Sequence, residues 1–555
     1  MNIPPNYPRP QLVRTEWTSL DGLWDCTFSK QKNIPEIIDT PIVVPFSPET
    51  KLSGVSRALQ PDEYLFYKKN FEYTIRTKNQ RQILHFGAVD QECLVFLNDK
   101  AIGSHLGGYL PFCFDVTNYL KRQNTLIIIV TDKHDLSLLP KGKQRLRNKG
   151  IYVSGQSGIW QSVWLEEVPR IYITDIILQP EYEKDCFILS VHTNNGNLFP
   201  VTVSYEGKTV TGTSEGPITC PIENVRSWSP ENPFLYELSI KCMDDIVSSY
   251  VAMRSYSVEG PALTLNGKPY FHHGILYQGY WAESLYTPPN DQAVIDDLSL
   301  IKGYGFNTIR LHMKIESPRW YYHCDCLGLL VWQDMPCGGE DPKQPWMSAP
   351  LFLPFLKLDD KEKHFLLGSD DRGYRLEFLS ELKDMIRHLY NCPCIAMWVL
   401  FNEGWGQFDS EQITNQILSL DRTRTIDSTS GWYDQGKSKF KSQHVYFRKY
   451  RFHKDSKKRS VILSEFGGYA YKKDSEERIF SYKVYKDQEA YNKGVLKLYL
   501  KQIAPAKGQG LAASIYTQFN DVQQEQNGIV SFDRKDIKLR KETALAVRTA
   551  LFQDS

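Results

Sequence analysis

From Trp17 to about Val168, apolar and polar residues alternate in short runs broken by turn residues: YLFYKKNFEY, RQILHFG, CLVFLND, TLIIIVTD and SVWLEEV. A period of two is what strands burying one face require, so this region is expected to be all-β. The stretch from about Arg170 to Ser257 continues in the same style, with ITDIILQPEY, CFILSVHT, VTVSYEG and LYELSIKC spaced by Gly, Asn and Pro. Its length of about 90 residues suits an immunoglobulin-like sandwich.

After Glu259-Gly260-Pro261 the pattern changes, and short apolar strands alternate with helical periodicity, the β/α texture of a parallel sheet. Candidate strands are YFHHGI (270–275), FNTIRL (306–311), GLLVW (328–332), IAMWVLF (395–401), RTID (424–427), QHVY (443–446), SVILS (460–464) and AASIYTQ (512–518). Eight such strands predict a closed β/α barrel. Between them Val294, Leu298 and Ile301 recur on one helical face and stop at Gly303. Phe378, Leu382, Met385 and Leu389 make a second stripe, and Ala544, Val547 and Leu551 a third. Ser317-Pro318 reads as an N-cap followed by proline at the first helical position. The links around strands five and six carry no clear helix. The predicted organisation is an all-β domain over 1–168, an immunoglobulin-like β-sandwich over 169–257 and a (β/α)8 barrel over 258–555.

A length of 555 residues agrees with three to four domains at about 150 residues each. Lys and Arg total 66 against 65 Asp and Glu, a net charge of +1. No global field therefore draws the chain to nucleic acid or anionic lipid. The basic run KDSKKRS (454–460) reads as a solvated loop. No uncharged apolar run approaches the roughly 18 residues needed to span a bilayer, and MNIPPNYPRPQLVRTEW has no apolar h-region. Neither nucleic acid nor a membrane is an expected partner. The eleven cysteines are scattered, and Cys324/Cys326 and Cys392/Cys394 are C-x-C pairs. Free buried thiols are expected rather than disulfides or a metal site. That usage points to a reducing compartment, the cytoplasm, although a trimmed signal peptide would leave the same N-terminus.

In a β/α barrel the reacting groups sit at the C-terminal ends of strands, where side chains converge on an open mouth. Two strands end in conspicuous carboxylates. IAMWVLF breaks to Asn402-Glu403-Gly404-Trp405-Gly406, and SVILS to Glu465-Phe466-Gly467-Gly468. Two carboxylates across a barrel mouth are what glycosidic bond cleavage needs: one protonates the departing oxygen and the other handles the anomeric carbon. The alternative for either Glu alone is a helix cap or a surface ion pair.

With these residues the chain resembles glycoside hydrolase family 2, which includes β-galactosidases, β-glucuronidases and β-mannosidases. The resemblance runs through SLDGLWD (19–25), VVPFSPET, FLNDKAIGSHLGGYLPFCFDVTNYL and SGIWQSVWLE (157–166). It continues in order through TLNGKPYFHHGI, FNTIRLH, CDCLGLLVWQDMP and VLFNEGWG. It implies that the first domain is a jelly-roll, sugar-binding-like domain. Glu403 matches the family's acid/base, Glu465 its nucleophile, and Asn402 the residue that binds the sugar 2-hydroxyl. Arg310 resembles the arginine that keeps the nucleophile ionised, and Tyr446 a tyrosine that contacts it.

Other positions depart from the family pattern. His312 stands at Arg310-Leu311-His312 where R-x-x-H is frequent, so it is either a sugar contact or a structural histidine. Asp334 could bind a sugar hydroxyl or support its loop. Trp405 and Trp432 could stack on a sugar face or pack in the core. Gln518 ends the eighth strand where some relatives have tryptophan, and is placed in the pocket. Some large β-galactosidases hold Mg²⁺ beside the acid/base, but MPCGGEDPKQPW offers only Glu340 and Asp341 without a nearby His. No metal and no cofactor are therefore expected.

The expected activity is that of a retaining exo-β-glycosidase, with β-galactosides first. An Asn-x-Lys element that clamps a uronate carboxylate in β-glucuronidases has no clear copy in NDVQQEQNGIVSFDRKDIK. β-Glucuronidase, β-mannosidase and arabinopyranosidase remain the alternatives. From another class stands a carbohydrate-binding protein with a dead barrel, against which the presence of Glu403, Glu465 and Asn402 argues. The oligomeric state is left open, a homo-oligomer included.

Overall fold

A computed structural model describes residues 6–74, 79–353, 356–471 and 480–552. The N-terminal part is a sandwich of two antiparallel sheets. One contains, in spatial order, Trp17–Ser19, Val163–Val168, Arg81–Phe86 and Phe112–Asp115. The other runs Thr40–Val44, Gly22–Ser29, Tyr64–Glu72, Gln123–Thr131, Glu92–Leu97 and Lys100–Leu106. Alternate residues of these strands, among them Trp24, Tyr67, Leu84, Val95 and Ile128, meet in one buried core. A second sandwich follows. Its three-stranded sheet comprises Ile173–Glu181, Cys186–Thr193 and Pro217–Pro221. Its four-stranded sheet comprises Lys208–Thr213, Pro200–Tyr205, Tyr236–Cys242 and Asp245–Val251. It has its own core around Phe187, Val203, Leu238 and Ile240.

The C-terminal part is a nearly closed barrel of eight parallel strands: β1 (His272–Tyr277), β2 (Thr308–Leu311), β3 (Leu330–Asp334), β4 (Ile395–Val399), β5 (Thr425–Asp427), β6 (Phe440–Val445), β7 (Ser460–Gly467) and β8 (Leu511–Thr517). The hydrogen-bonded order is 5-4-3-2-1-8-7-6. Side chains bridge the gap between β5 and β6: Ser430 Oγ lies 3.5 Å from Ser442 Oγ and 3.1 Å from His444 Nε2. Leu263, on a short antiparallel sheet preceding β1, packs with Leu276, Trp332, Met397, Ile462 and Ile515 in the barrel interior. Among the described residues, no helix is long and apolar enough to cross a membrane.

The three helical stripes fall on Asp291–Gly303, Arg372–Leu389 and Lys541–Phe552, with the expected residues buried. Several boundaries differ from expectation. β1 begins at His272 because the Tyr270 N–H donates to Leu263 O at 2.8 Å, tying that residue to the preceding sheet. β3 begins at Leu330 because Gly328, at φ 71°, ends the helix before it. Ser317 occupies the N-cap position of Pro318–Leu327, yet its side chain makes no capping hydrogen bond. All eleven cysteines are unpaired, but Cys113 and Cys326 are exposed rather than buried.

Candidate active site

β7 departs most from its expected form. It runs through Gly467, so Glu465 lies inside the strand, and its register shifts against both neighbours around Ser464. A bulge of this kind rotates a side chain off the regular alternation, and here it accompanies the turn of Glu465 toward the barrel axis. There Glu465 Oε1 accepts from Arg310 Nη1 at 2.9 Å and Oε2 accepts from Tyr446 Oη. Glu403 comes from the opposite side, after β4, at φ 52°. Its backbone N–H donates to Ser430 O at 2.9 Å. The next residue, Gly404, sits at φ 77°, where a Cβ would lie 2.4 Å from the Tyr433 ring. One carboxylate oxygen of Glu403 and one of Glu465 lie within 4.8 Å of each other, with a ring nitrogen of His444 within the same distance of both.

Arg310 organises the group. Fully buried at the end of β2, it donates through Nε and Nη2 to both oxygens of Asp334, each at 3.0 Å, and through Nη2 to Asn402 Oδ1 at 2.8 Å. The paired geometry with Asp334 fixes the guanidinium plane. The bond to Asn402 sets which end of that amide accepts, and leaves its Nδ2 donors for another group. Asp334 Oδ2 also meets His312 Nδ1 at 2.8 Å, so both Asp334 oxygens are engaged and the residue supports Arg310 and His312.

Burial by itself would raise the pKa of Glu465. The electrostatic influence of His444, Arg310 and His312, with the hydrogen bond from the Tyr446 hydroxyl, outweighs it and lowers the value to about 2. Glu465 is thus held as a carboxylate at neutral pH. Tyr446 is pushed well above its ordinary pKa, first by burial and next by the charge of Glu465, so it remains a donor.

The remaining sequence candidates take more peripheral places. Trp432 packs with Leu358, Leu367 and Tyr433, its ring centre 6.5 Å from that of His444. Trp405 packs on Met313 and Cys337 and lies 5.6 Å from the Tyr152 ring. Gln518 reaches neither carboxylate. It joins a buried amide network in which Gln278 Nε2 donates to Gln518 Oε1 at 2.6 Å and Gln518 Nε2 donates to Asn527 Oδ1 at 2.7 Å. Glu340 pairs with Lys343, and Asp341 with Arg145. Among the described residues, the one convergent set of His, Cys, Asp or Glu atoms that could hold a metal is Glu403, His444 and Glu465. Arg310 and Tyr446 already occupy the oxygens of Glu465 there, a donor set suited to a carboxylate nucleophile.

Several contributors escaped the sequence reading. His444, inside β6, bridges the two carboxylates: Nδ1 lies 2.7 Å from Glu403 Oε1 and Nε2 3.6 Å from Glu465 Oε1. Tyr482 stacks on Tyr446 with ring centres 3.7 Å apart, and Thr517 Oγ1 lies 3.0 Å from Tyr446 Oη. The alternation in QHVY could have singled out His444, since it shares a face with Tyr446. Nothing in the sequence marks Tyr482.

The segment 132–157 of the first sandwich forms one wall of the mouth. The N–H groups of Lys141 and Gly142 donate to Cys337 O at 2.8 and 2.9 Å, beyond β3. Asn148 and Ser154 both donate to Gln523 Oε1, beyond β8, at 2.6 and 2.9 Å.

The family model for the TIM barrel domain of glycosyl hydrolases family 2 matches residues 257–541, more than half of the chain. The model for the sugar binding domain of the same family matches residues 53–169. A β-galactosidase of Thermoanaerobacter pseudethanolicus is 25% identical over 394 residues, 65% of this chain and 48% of its own. A β-glucuronidase of Bacteroides fragilis is 25% identical over 449 residues, 72% of this chain and 61% of its own. The chain thus spans about half the length of the curated relatives it matches. The solved structure of a β-D-glucuronidase from Dictyoglomus thermophilum superposes with a TM-score of 0.74 at 18% identity, covering 98% of both chains. That likeness extends over both sandwiches and the barrel. On the strength of the two family models, the chain belongs to glycosyl hydrolases family 2.

Proposed function

We propose that the protein is a retaining exo-β-glycosidase acting on neutral sugars, with β-galactosides first. The supporting observation is the pairing of an ionised Glu465, gripped by Arg310 and Tyr446, with Glu403 less than 4.8 Å away. Retaining enzymes hold their two carboxyl groups roughly 5–5.5 Å apart, whereas inverting enzymes leave roughly 6.5–9.5 Å for a water. In this reading Glu465 attacks the anomeric carbon while Glu403 gives its proton to the leaving oxygen, forming a glycosyl ester and a free alcohol. Glu403 then takes a proton from water, which cleaves the ester and restores Glu465. Asn402 Nδ2 holds the sugar 2-hydroxyl.

Relatives carry both galactosidase and glucuronidase names, so the sugar rests on the pocket. The lack of an Asn-x-Lys element after β8 favours a neutral substrate. A panel of chromogenic β-D-galactoside, β-D-glucuronide, β-D-mannoside, β-D-fucoside and α-L-arabinopyranoside tests this. Glucuronide turnover more than about tenfold above galactoside turnover overturns the neutral sugar. NMR of the first-formed product is expected to show retained configuration. Glu465→Ala is expected to be nearly inactive and to yield an inverted glycosyl azide when azide is supplied. An inverted hydrolysis product, or near-normal activity of Glu465→Ala, overturns the assigned roles.

A further inference from the structure

Across the mouth from Glu403 lies an ion pair made by two domains. Lys143, on the 132–157 segment of the first sandwich, places Nζ 3.6 Å from Glu525 Oε2, on the loop after β8. Both side chains are almost fully buried, at 10% and 3% exposure. Glu525 is fixed from below: Gln278 Nε2 donates to its Oε2 at 2.9 Å, and Asn527 Nδ2 to its Oε1 at 3.3 Å. Through Gln278 and Asn527 it joins the network of Gln518 at the ends of β1 and β8. Lys143 is not fixed in this way. At 3.6 Å its contact is ionic rather than a hydrogen bond, and its side chain makes no hydrogen bond among the described residues.

The pair faces the reacting centre. The residue before Lys143, Gly142, packs so closely on the chain after β2 that a Cβ there would lie 2.7 Å from Met313 O, next to His312. The Phe480 N–H donates to Gln524 O at 2.8 Å and the Gln526 N–H to Phe480 O at 3.1 Å, which seats Glu525 against the segment that carries Tyr482, and Tyr482 stacks on Tyr446 beside Glu465. Burial and then Glu403, Glu525 and Glu465 push Tyr482 well above its ordinary pKa.

We infer that Lys143 and Glu525 together read the substituent on C5 of the sugar and select CH2OH over carboxylate. The inference rests on the proposed glycosidase reading, in which Asn402, after β4, holds the 2-hydroxyl. In the order 5-4-3-2-1-8-7-6, β8 lies diametrically across the barrel from β4. In a pyranose ring C5 lies diametrically across from C2. A sugar with its 2-hydroxyl on Asn402 therefore presents its C5 substituent to β8, β1 and the Lys143–Glu525 pair. A primary hydroxyl can donate to Glu525 and accept from Lys143, using the donors that Lys143 has left over. A uronate carboxylate meets Glu525 with like charge and finds Lys143 already neutralised. A methyl group excludes water without hydrogen-bonding to either residue, so the buried donors of Lys143 stay unsatisfied, which costs more than a lost apolar contact.

The test uses substrates alike in ring stereochemistry and different only at C5: aryl β-D-galactoside (CH2OH), β-D-fucoside (CH3) and β-D-galacturonide (COO⁻). If the gluco series is the one turned over, the corresponding glucoside, 6-deoxyglucoside and glucuronide replace them. Ratios of kcat/KM on one preparation do not depend on the folded fraction, so a partly unfolded variant remains informative. The wild type is expected to favour galactoside over fucoside by about tenfold or more. Lys143→Met is expected to collapse that preference to about threefold or less. Glu525→Gln, which leaves Lys143 as an unopposed cation, is expected to raise galacturonide relative to galactoside by about tenfold or more. Ratios that stay within about twofold of wild type in both variants overturn this inference while leaving the glycosidase reading intact. No hydrolysis of any β-glycoside overturns both.

Discussion

Arg310 holds Glu465, Asp334 and Asn402 at once, whereas His444 lies between the two carboxylates and closer to Glu403, at 2.7 Å against 3.6 Å from Glu465. Removing the His444 imidazole is expected to disturb the acid more than the nucleophile. His444→Ala should lower kcat/KM by roughly 10- to 100-fold for glycosides with poor leaving groups and only a few-fold for activated aryl glycosides. A plot of log kcat/KM against leaving-group pKa, steeper in the variant, checks this; parallel lines would show that His444 acts elsewhere. Glu465 gives a second expectation. Its pKa is about 2 in the folded protein against an ordinary 4.5. A carboxyl depressed by folding stabilises the native state above its unfolded pKa, and that contribution fades as pH falls from about 4.5 to about 2. The difference in denaturation midpoint between wild type and Glu465→Gln should therefore change across this window in the direction of a less favoured wild type. Equal slopes would contradict the depressed value. Glu403, with Asn402 before it, and Glu465 were legible because they break apolar runs, where the chain has no other reason to become polar, whereas Arg310 was singled out only through the family resemblance. His444 was hidden inside a strand, and Tyr482 reaches the site from a loop.

Among the elements, the sequence located all eight barrel strands but misplaced several ends, because end positions depend on tertiary partners that periodicity does not register. The caps illustrate the same limit. Asn290 Oδ1 accepts from the Ala293 N–H at 2.9 Å and Asp371 Oδ1 from the Tyr374 N–H at 2.7 Å, whereas Ser317 caps nothing with its side chain. Asn290→Ala and Asp371→Ala are each expected to cost about 1 kcal/mol, and Ser317→Ala less than about 0.5 kcal/mol. Chemical denaturation of the three variants tests the ranking. A Ser317→Ala loss as large as the other two would mean that the hydroxyl does cap in solution. The bulge at Ser464 was equally invisible, since SVILS reads as a regular strand that ends before Glu465.

For the whole molecule, the change of texture near Gly260 was plain, whereas the contacts that join the parts were not. Arg14 shows why. It donates to Glu166 in the first sandwich at 2.9 Å, and to Asp245 and Ile173 O in the second at 2.7 and 2.6 Å, all buried. These partners lie 152 to 231 residues away, beyond any local pattern. Removing the arginine takes the ion-pair partner from the buried Asp245 and leaves the buried Glu166 with Arg9 alone of its two arginines. Arg14→Ala is expected to cost about 3–5 kcal/mol, and Arg14→Lys, which keeps the charge without the forked geometry, distinctly less. Denaturant midpoints of the two variants, read together, check both statements.

The docking of segment 132–157 onto the barrel mouth bears on how such proteins diversify. A recombination event near residue 260, at the visible seam, would give the offspring its barrel from one parent and one wall of its pocket from the other. The loops at 337 and 523 would then meet a segment shaped by a different history. Lineages carrying this architecture are therefore expected to exchange sandwich and barrel as a unit, and the two halves of the pocket to drift in concert.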